Sequence, residues 1–136
     1  MANYRIEDLE GVGKVRGEKL RAAGIKDTDT LLAACATAKQ RAALAEKAAV
    51  SPKRLLKWAN MADLYRINGV GSEYAELLEE AGVDTVPELA QRNAANLAQA
   101  MAEANEKKKL TRRVPTTAEV TKWVTQAKTL PRVLQY

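Results

Sequence analysis

A short glycine-containing pattern occurs twice in this chain and constrains its fold more than any other feature. The segment Gly11-Val12-Gly13, followed by a helical stretch ending at Ala23-Gly24, returns 58 residues later as Gly69-Val70-Gly71 with Ala81-Gly82. A single Gly-x-Gly is weak evidence, because turns use glycine widely. Two copies with their flanking residues in register predict a chain built twice from one unit.

Each glycine pair suits the binding of an anion. Glycine tolerates positive φ and close approach of the backbone. A helix that begins directly after Gly13 leaves its first N–H groups without intrahelical partners, at the positive end of the helix dipole. The pattern therefore predicts a phosphate-binding turn at Gly11–Gly13 and a second one at Gly69–Gly71.

Helix start and stop signals cover nearly the whole chain. Ser51-Pro52 is typical of a helix start, with an N-cap serine followed by proline at the first helical position. Gly24 is typical of a helix end. The predicted helices cover 13–23, 28–36, 37–48, a stretch opening at Ser51-Pro52, 72–81, 87–91, 94–107 and 117–128.

The repeat extends to two tryptophan-containing helices, Leu55–Trp58 being echoed by Val120–Trp123. The Trp58 helix leads directly into the second glycine turn, Gly69–Gly71, whereas no helix precedes the first, Gly11–Gly13; each turn is called a glycine hairpin below. We therefore predict one domain of two repeats, 1–66 and 67–136, in which the Trp123 helix completes the first hairpin. Closure within a monomer is favoured over a swapped dimer, and both tryptophans are expected in the core.

The glycine segments and their neighbours resemble a known superfamily. Leu9-x-Gly11-Val12-Gly13 with Glu18-Lys19-Leu20, and Ile67-x-Gly69-Val70-Gly71 with Ala75-Glu76-x-Leu78, resemble the hairpin and second helix of helix-hairpin-helix proteins. Nearly the whole chain also resembles a bacterial family of small tandem helix-hairpin-helix proteins catalogued as a domain of unknown function. The resemblance implies an all-α fold of two pseudo-symmetric helix-hairpin-helix units packed as one compact helical domain.

The superfamily resemblance also implies binding of the DNA backbone without sequence preference, by hairpin amides and nearby basic side chains. The implied nucleic-acid-binding residues are Gly11, Val12, Gly13, Lys14, Arg16, Lys19 and Arg21. In some members, hairpin carbonyls hold a monovalent cation; by position these would belong to Glu7, Leu9 and Val12, and to Tyr65, Ile67 and Val70. Gly17 stands where the superfamily usually has alanine, which is expected to loosen the first unit.

The two copies differ in charge. Because Glu73 and Glu76 follow the second hairpin, we expect its residues to bind phosphate weakly or to contact a protein; they are Gly69, Val70, Gly71 and Ser72. The net charge is +5 over residues 1–62, −7 over 63–106 and +7 over 107–136. With the Trp123 helix beside the first hairpin, positive charge would gather at one pole and favour a polyanion. Lys107–Lys109 equally suit a helix end, where the dipole favours cations. A protein partner or head-to-tail self-association is the alternative to DNA.

Missing residue types narrow the function classes further. The chain has no histidine and one cysteine, which excludes an internal disulfide and a conventional zinc site. Cys35 lies in an apolar helical context that favours packing over nucleophilic catalysis. No run approaches the roughly 18 apolar residues of a membrane span, and no secretory leader is visible. We therefore expect a cytoplasmic, non-enzymatic protein without an organic cofactor.

Overall fold

The computed structural model describes residues 2–136; apart from one isolated β-bridge between Arg5 and Asp27, their regular secondary structure is helical, which confirms the all-α fold class. Their α-helices are α1 (Gly13–Ala22), α2 (Thr28–Ala34), α3 (Ala38–Ala48), α4 (Pro52–Leu64), α5 (Ser72–Glu80), α6 (Val86–Ala90), α7 (Ala94–Lys108) and α8 (Thr117–Thr129). A single 3₁₀ turn, Ile6–Asp8, precedes the first glycine hairpin. The helix boundaries given as ranges in the sequence analysis agree with these to within two residues.

The helix starts follow from local sequence. Thr37 and Thr116 each form a capping box, in which Gln40 and Glu119 reach back to the backbone of the cap. Ser51 caps α4, because its Oγ accepts a hydrogen bond from an N–H of the first turn at 3.2 Å. Such caps satisfy N–H groups that have no partner inside the helix.

The contacts within the chain form two compact units. The N-terminal unit consists of Asn3–Asp63 and the last residues, Arg132–Tyr136; the C-terminal unit consists of Ala2 and Leu64–Pro131. The predicted repeats, 1–66 and 67–136, differ from these units at their ends. The difference is greatest at the C-terminus, where residues counted with the second repeat pack in the N-terminal unit.

A buried arginine attaches the C-terminal segment within the N-terminal unit. Arg41 is 6% exposed, and its guanidinium donates to the carbonyl of Cys35 at 2.8 Å and to that of Gln135 at 2.7 Å. The Gln135 N–H donates to the carbonyl of Ala36 at 2.7 Å. The Arg41 guanidinium also lies 5.6 Å from the centroid of the Tyr136 ring. The apolar core of this unit includes Ile6, Leu20, Ile25, Leu31, Leu55, Trp58 and Leu134.

The C-terminal unit packs α8 against α6 and α7, and α5 against α7. Leu97 of α7 takes the place that Arg41 has in α3, four residues after the N-cap, and it is fully buried. The apolar core of this unit includes Ile67, Leu77, Leu78, Leu89, Leu97, Met101, Val120 and Trp123.

Each glycine hairpin packs against the tryptophan helix of its own unit. A Cβ built on Gly11 would lie 3.5 Å from Nε1 of Trp58, and a Cβ built on Gly69 would lie 3.3 Å from Nε1 of Trp123. Both tryptophans are 3% exposed, as the sequence predicted for core residues. The prediction that the Trp123 helix completes the first hairpin is wrong: α4 does so, and no helix from a second chain is required. Helical periodicity placed each tryptophan on an apolar face, but it carried no information on which hairpin that face covers.

Candidate functional site

The two glycine hairpins have the same backbone framework. The Val12 N–H donates to the carbonyl of Leu9 at 3.1 Å, and the Val70 N–H donates to that of Ile67 at 3.1 Å. Gly11 has φ +86° and Gly69 has φ +87°. In this left-handed region, side chains with a Cβ are strained. The prediction of a glycine-dependent turn in each copy is therefore confirmed.

The helices that follow the hairpins also end alike. The Ile25 N–H donates to the carbonyl of Leu20 at 2.9 Å, and the Val83 N–H donates to that of Leu78 at 2.8 Å. Such bonds close the last turn of a helix around a left-handed glycine. Every one of these bonds recurs at the 58-residue offset of the sequence repeat.

The hairpins diverge at their second glycine. Gly13 has φ +69°, whereas Gly71 is extended with φ −99° and ψ −168°. Only the first copy therefore needs glycine at this position for conformational reasons. A Cβ on Gly13 would meet nothing within 4 Å, so the backbone there is open to an incoming group.

The helices after the hairpins begin without a side-chain cap. The N-cap of α1 is Val12 and that of α5 is Gly71, and neither accepts a hydrogen bond from its first turn through a side chain. By contrast, Asp27 at the start of α2 accepts from the Thr30 N–H at 2.8 Å. Uncapped first-turn N–H groups of this kind remain available to water or to an external acceptor.

The predicted basic residues of the first copy are in different situations. Lys14 and Lys19 are exposed. Nη1 of Arg16 donates a hydrogen bond to the carbonyl oxygen of Gly11 at 3.5 Å. Arg21 forms a two-point ion pair with Glu7, in which its Nη2 donates to Oε1 at 2.7 Å. This hydrogen bond lowers the pKa of the Glu7 carboxyl to about 2, so Arg21 already has an anionic partner.

Gly17 makes room for that ion pair. A Cβ built on Gly17 would lie 2.8 Å from Cγ of Glu7, so the Glu7 side chain lies across α1 at this point on its way to Arg21. In the second copy, the corresponding residues are Ala75 and Tyr65, both buried. The space that an alanine methyl group would take at position 17 is therefore filled by the Glu7 side chain. The expectation that Gly17 loosens the first unit stays a prediction.

The second hairpin is held by a side chain that the first hairpin lacks. Oε1 of Gln126 accepts a hydrogen bond from the Asn68 N–H at 2.9 Å, and its Nε2 donates to the carbonyl of Arg66 at 3.4 Å. Gln126 lies three residues after Trp123, and the matching residue of α4 is Met61, whose thioether carries no N–H or O–H donor. The sequence analysis did not identify Gln126. It could have been found by comparing the third residue after each tryptophan, which is methionine in α4 and glutamine in α8.

A pair of aromatic rings also packs at the start of α5. The rings of Tyr74 and Trp123 have centroids 5.3 Å apart, and the Tyr74 hydroxyl donates to the carbonyl of Arg113 at 3.2 Å. Tyr74 stands where the first copy has Arg16. Val70 is buried, Gly71 and Ser72 are partly exposed, and Glu73 is exposed in the first turn. The second copy thus has Ser72 and Tyr74 in place of Lys14 and Arg16, and the carboxylate of Glu73 in place of Val15.

The distribution of charged residues between the two units differs from the one expected from the sequence. With α8 in the C-terminal unit, that unit carries 9 Lys/Arg and 9 Asp/Glu, whereas the N-terminal unit carries 13 and 8. The prediction that the basic tail helix packs as part of the same unit as the first hairpin is therefore wrong. The net positive charge of the chain lies in the N-terminal unit alone.

Two of the carbonyls predicted to hold a monovalent cation already accept hydrogen bonds within the hairpins. Those of Leu9 and Ile67 accept the turn hydrogen bonds described above, although a carbonyl oxygen keeps a second lone pair. Across residues 2–136, no cluster of histidine, cysteine, aspartate or glutamate could hold a metal ion. Cys35 is fully buried, and burial raises the pKa of its thiol to about 12, as suits a packing residue.

Comparison with protein families assigns the chain to a family. It belongs to the family described as a domain of unknown function, DUF4332, whose model matches residues 10–130. Searches of curated proteins and of solved structures gave no significant match. Within the described residues, no helix combines the length and apolar character needed to cross a membrane.

Proposed function

We propose that this protein binds the backbone of DNA without sequence preference, through its first glycine hairpin. The observation that carries the proposal is the combination of an open, uncapped start of α1 with exposed basic side chains of Lys14 and Lys19. Amide N–H groups at such a helix start bind phosphate oxygens, and the lysines add charge attraction that does not depend on base sequence.

The matched backbone of the two copies supports a helix-hairpin-helix relationship, in which each hairpin joins a following helix and packs on a tryptophan helix. On this proposal the protein is a non-enzymatic, cytoplasmic binding module, in keeping with the absence of histidine from the chain. A monovalent cation at the hairpin carbonyls is an optional addition, because the amides can hold phosphate without it.

Fluorescence anisotropy with a random-sequence duplex tests the proposal. We expect the affinity to fall with rising salt, with a slope of about −0.9 in log–log form for each phosphate neutralised. Lys14→Glu combined with Arg16→Glu is expected to abolish this binding, because it sets two carboxylates beside the hairpin amides.

The matched control is Lys107→Glu combined with Lys108→Glu, at the exposed end of α7 in the C-terminal unit. It lowers the net charge of the chain by the same amount. Equal losses of affinity in the two double variants would show that binding depends only on the net charge of the chain, and this result would overturn the proposal.

Protein–protein interaction or self-association is the second candidate function. It is favoured by the surroundings of the second hairpin, where an open groove is lined by Gly69, Trp123 and Gln126 and where Glu73 and Glu80 of α5 are exposed. Light scattering of the protein over a range of concentrations tests self-association. On this reading, Glu73→Lys with Glu80→Lys would reduce the apparent mass, while duplex binding would be no better than for any similarly basic protein.

A further inference from the structure

The start of α4 carries basic residues where a helix disfavours them. Lys53 and Arg54 lie in the first turn, at the positive end of the helix dipole. At the corresponding turn of α8, Glu119 completes the capping box and accepts two hydrogen bonds from Arg113, at 2.6 and 2.9 Å. Helix stability therefore accounts for Glu119 and does not account for Arg54.

The two tryptophan helices share one register. Ser51 caps α4 seven residues before Trp58, and Thr116 caps α8 seven residues before Trp123. In the C-terminal unit, the groove beside Gly69 is lined from α8 by Glu119, Lys122, Trp123 and Gln126. At about 100° per residue, these four positions fall within about 100° of arc on the helix.

The same arc of α4 faces the first hairpin, because Trp58 lies against Gly11 as Trp123 lies against Gly69. It is occupied by Arg54, Lys57, Trp58 and Met61. Arg54 and Lys57 are exposed, and Arg54 stands where the second copy has a carboxylate. The tryptophan helix thus presents positive charge beside the first hairpin.

We propose that Arg54 provides a second contact to the same nucleic-acid backbone that the first hairpin binds. The inference rests on the proposed function and extends the binding surface from α1 to α4. The charged groups of this surface are Lys14 and Arg16 from α1, Arg54 and Lys57 from α4, and the opposing exposed carboxylate of Glu10 in the hairpin. A guanidinium can donate two parallel hydrogen bonds to a phosphate, which offsets the nearby carboxylate.

The chain offers a closely matched pair of variants, Arg54→Glu and Lys53→Glu. Both change the charge by the same amount, in the same helical turn. Arg54 lies about 40° around the helix from Trp58, whereas Lys53 lies about 140° away and outside the arc that faces the hairpin. Arg54→Glu also places a carboxylate three residues after Ser51, as Glu119 follows Thr116, so the helix start should be at least as stable. Thermal melting by circular dichroism checks this.

Duplex affinity and its salt dependence are then measured for the wild type, both single variants and the Lys14→Glu, Arg16→Glu double variant. We expect Arg54→Glu to weaken binding about tenfold and to reduce the salt slope by about 0.9, the amount for one phosphate contact. Lys53→Glu should have a clearly smaller effect on both quantities.

Equal effects of Arg54→Glu and Lys53→Glu would overturn the inference about α4. If the double variant on α1 still lost binding, the hairpin proposal would stand without it. If the double variant bound as well as its Lys107→Glu, Lys108→Glu control, both proposals would fall.

Discussion

At the first glycine hairpin, Lys14 and Arg16 follow Gly13; at the second, Ser72 and Tyr74 follow Gly71. The hydrogen bonds of the two turns and of the helix ends are nevertheless the same. The second hairpin is also tied to α8 by Gln126 and covered by the Tyr74 ring, whereas α4 has Met61 in the place of Gln126. The two turns thus share their hydrogen bonds and a left-handed first glycine, but the first turn is open and followed by basic residues, whereas the second is held by Gln126 and followed by the acidic Glu73.

The hairpin backbone therefore has the same packing role in both units, separate from the binding role proposed for the first. Each hairpin seats a tryptophan against its glycine, whatever charges surround it. Substitutions at matching positions of the two units can separate these roles, because a structural role should respond alike in both.

The largest effect is expected from removing the tryptophans. Trp58→Ala and Trp123→Ala should each lower the free energy of unfolding by about 3–5 kcal/mol, since each deletes a buried side chain. Trp123→Ala should cost more, because the ring contact with Tyr74 at 5.3 Å is lost as well. Denaturant unfolding followed by circular dichroism measures both. A negligible cost at either site would break the structural equivalence of the hairpins.

The second-largest effect is expected at Arg41, because the two units have residues of opposite character at this position. Arg41→Leu gives α3 the residue that α7 has at Leu97, and it leaves the buried carbonyl of Cys35 and the partly buried carbonyl of Gln135 without this donor. We expect a loss of about 1.5–3 kcal/mol in the free energy of unfolding, as for hydrogen bonds to a charged group. Deleting residues 132–136 from the same variant should then cost less than deleting them from the wild type. Additive losses would show that Arg41 does not hold the C-terminal segment.

A smaller effect is expected at the left-handed glycines. Gly11→Ala and Gly69→Ala should each cost about 1–2 kcal/mol for the positive φ. The cost at Gly69 should be higher, because its Cβ would be 3.3 Å from the Trp123 indole nitrogen, against 3.5 Å at Gly11. Gly13→Ala is the control, since it has positive φ and open space around it. A cost at Gly13 above that at Gly69 would mean that contact with the indole is unimportant.

The smallest effect is expected from the two exposed ion pairs. Hydrogen bonds from Arg21 and Arg113 lower the pKa values of Glu7 and Glu119 from 4.5 to about 2. A carboxyl with a lowered pKa stabilises the fold fully above about pH 4.5, and this contribution disappears as the pH falls towards 2. Glu7→Gln and Glu119→Gln should therefore reduce the loss of melting temperature over that range. Glutamine also preserves the capping box of α8.

Because both pairs are exposed, added salt should weaken the effect. Melting temperatures measured between pH 5 and pH 2, at low and high salt, provide the check. Identical acid sensitivity in the wild type and both variants would show that these pairs contribute nothing to folding.

Local signals explain why the helices could be predicted so closely. Ser51 caps the helix that its side chain predicts, Thr37 and Thr116 cap α3 and α8 in the same way, and Gly24 ends α1 with positive φ. The turn at Gly11 and its copy at Gly69 were equally visible, because only glycine adopts that backbone without strain. These features depend on neighbours within a few residues, which the sequence displays directly.

The candidate site was predicted in part. The glycine turn before α1 was visible in the sequence, and the binding role of Lys14 and Lys19, which are exposed beside it, stays a prediction. The engagement of Arg21 by Glu7 was not visible, because it depends on the Glu7 side chain crossing α1 at Gly17. Gln126 and Arg54 could not be assigned to a hairpin from sequence, because their place depends on which tryptophan helix packs there.

The sequence by itself determined the twofold repeat, the helices and the glycine turns, since each follows from short-range backbone chemistry. Only the tertiary structure decided that α4 covers the first hairpin, that α8 covers the second, and that Arg132–Tyr136 return to the N-terminal unit. Both pairings of helix and hairpin bury an apolar face, and the entropy of closing a loop changes little with its length. The choice between them therefore depends on detailed side-chain packing, at glycines that let an indole approach the backbone, and it also determines which charges surround each hairpin.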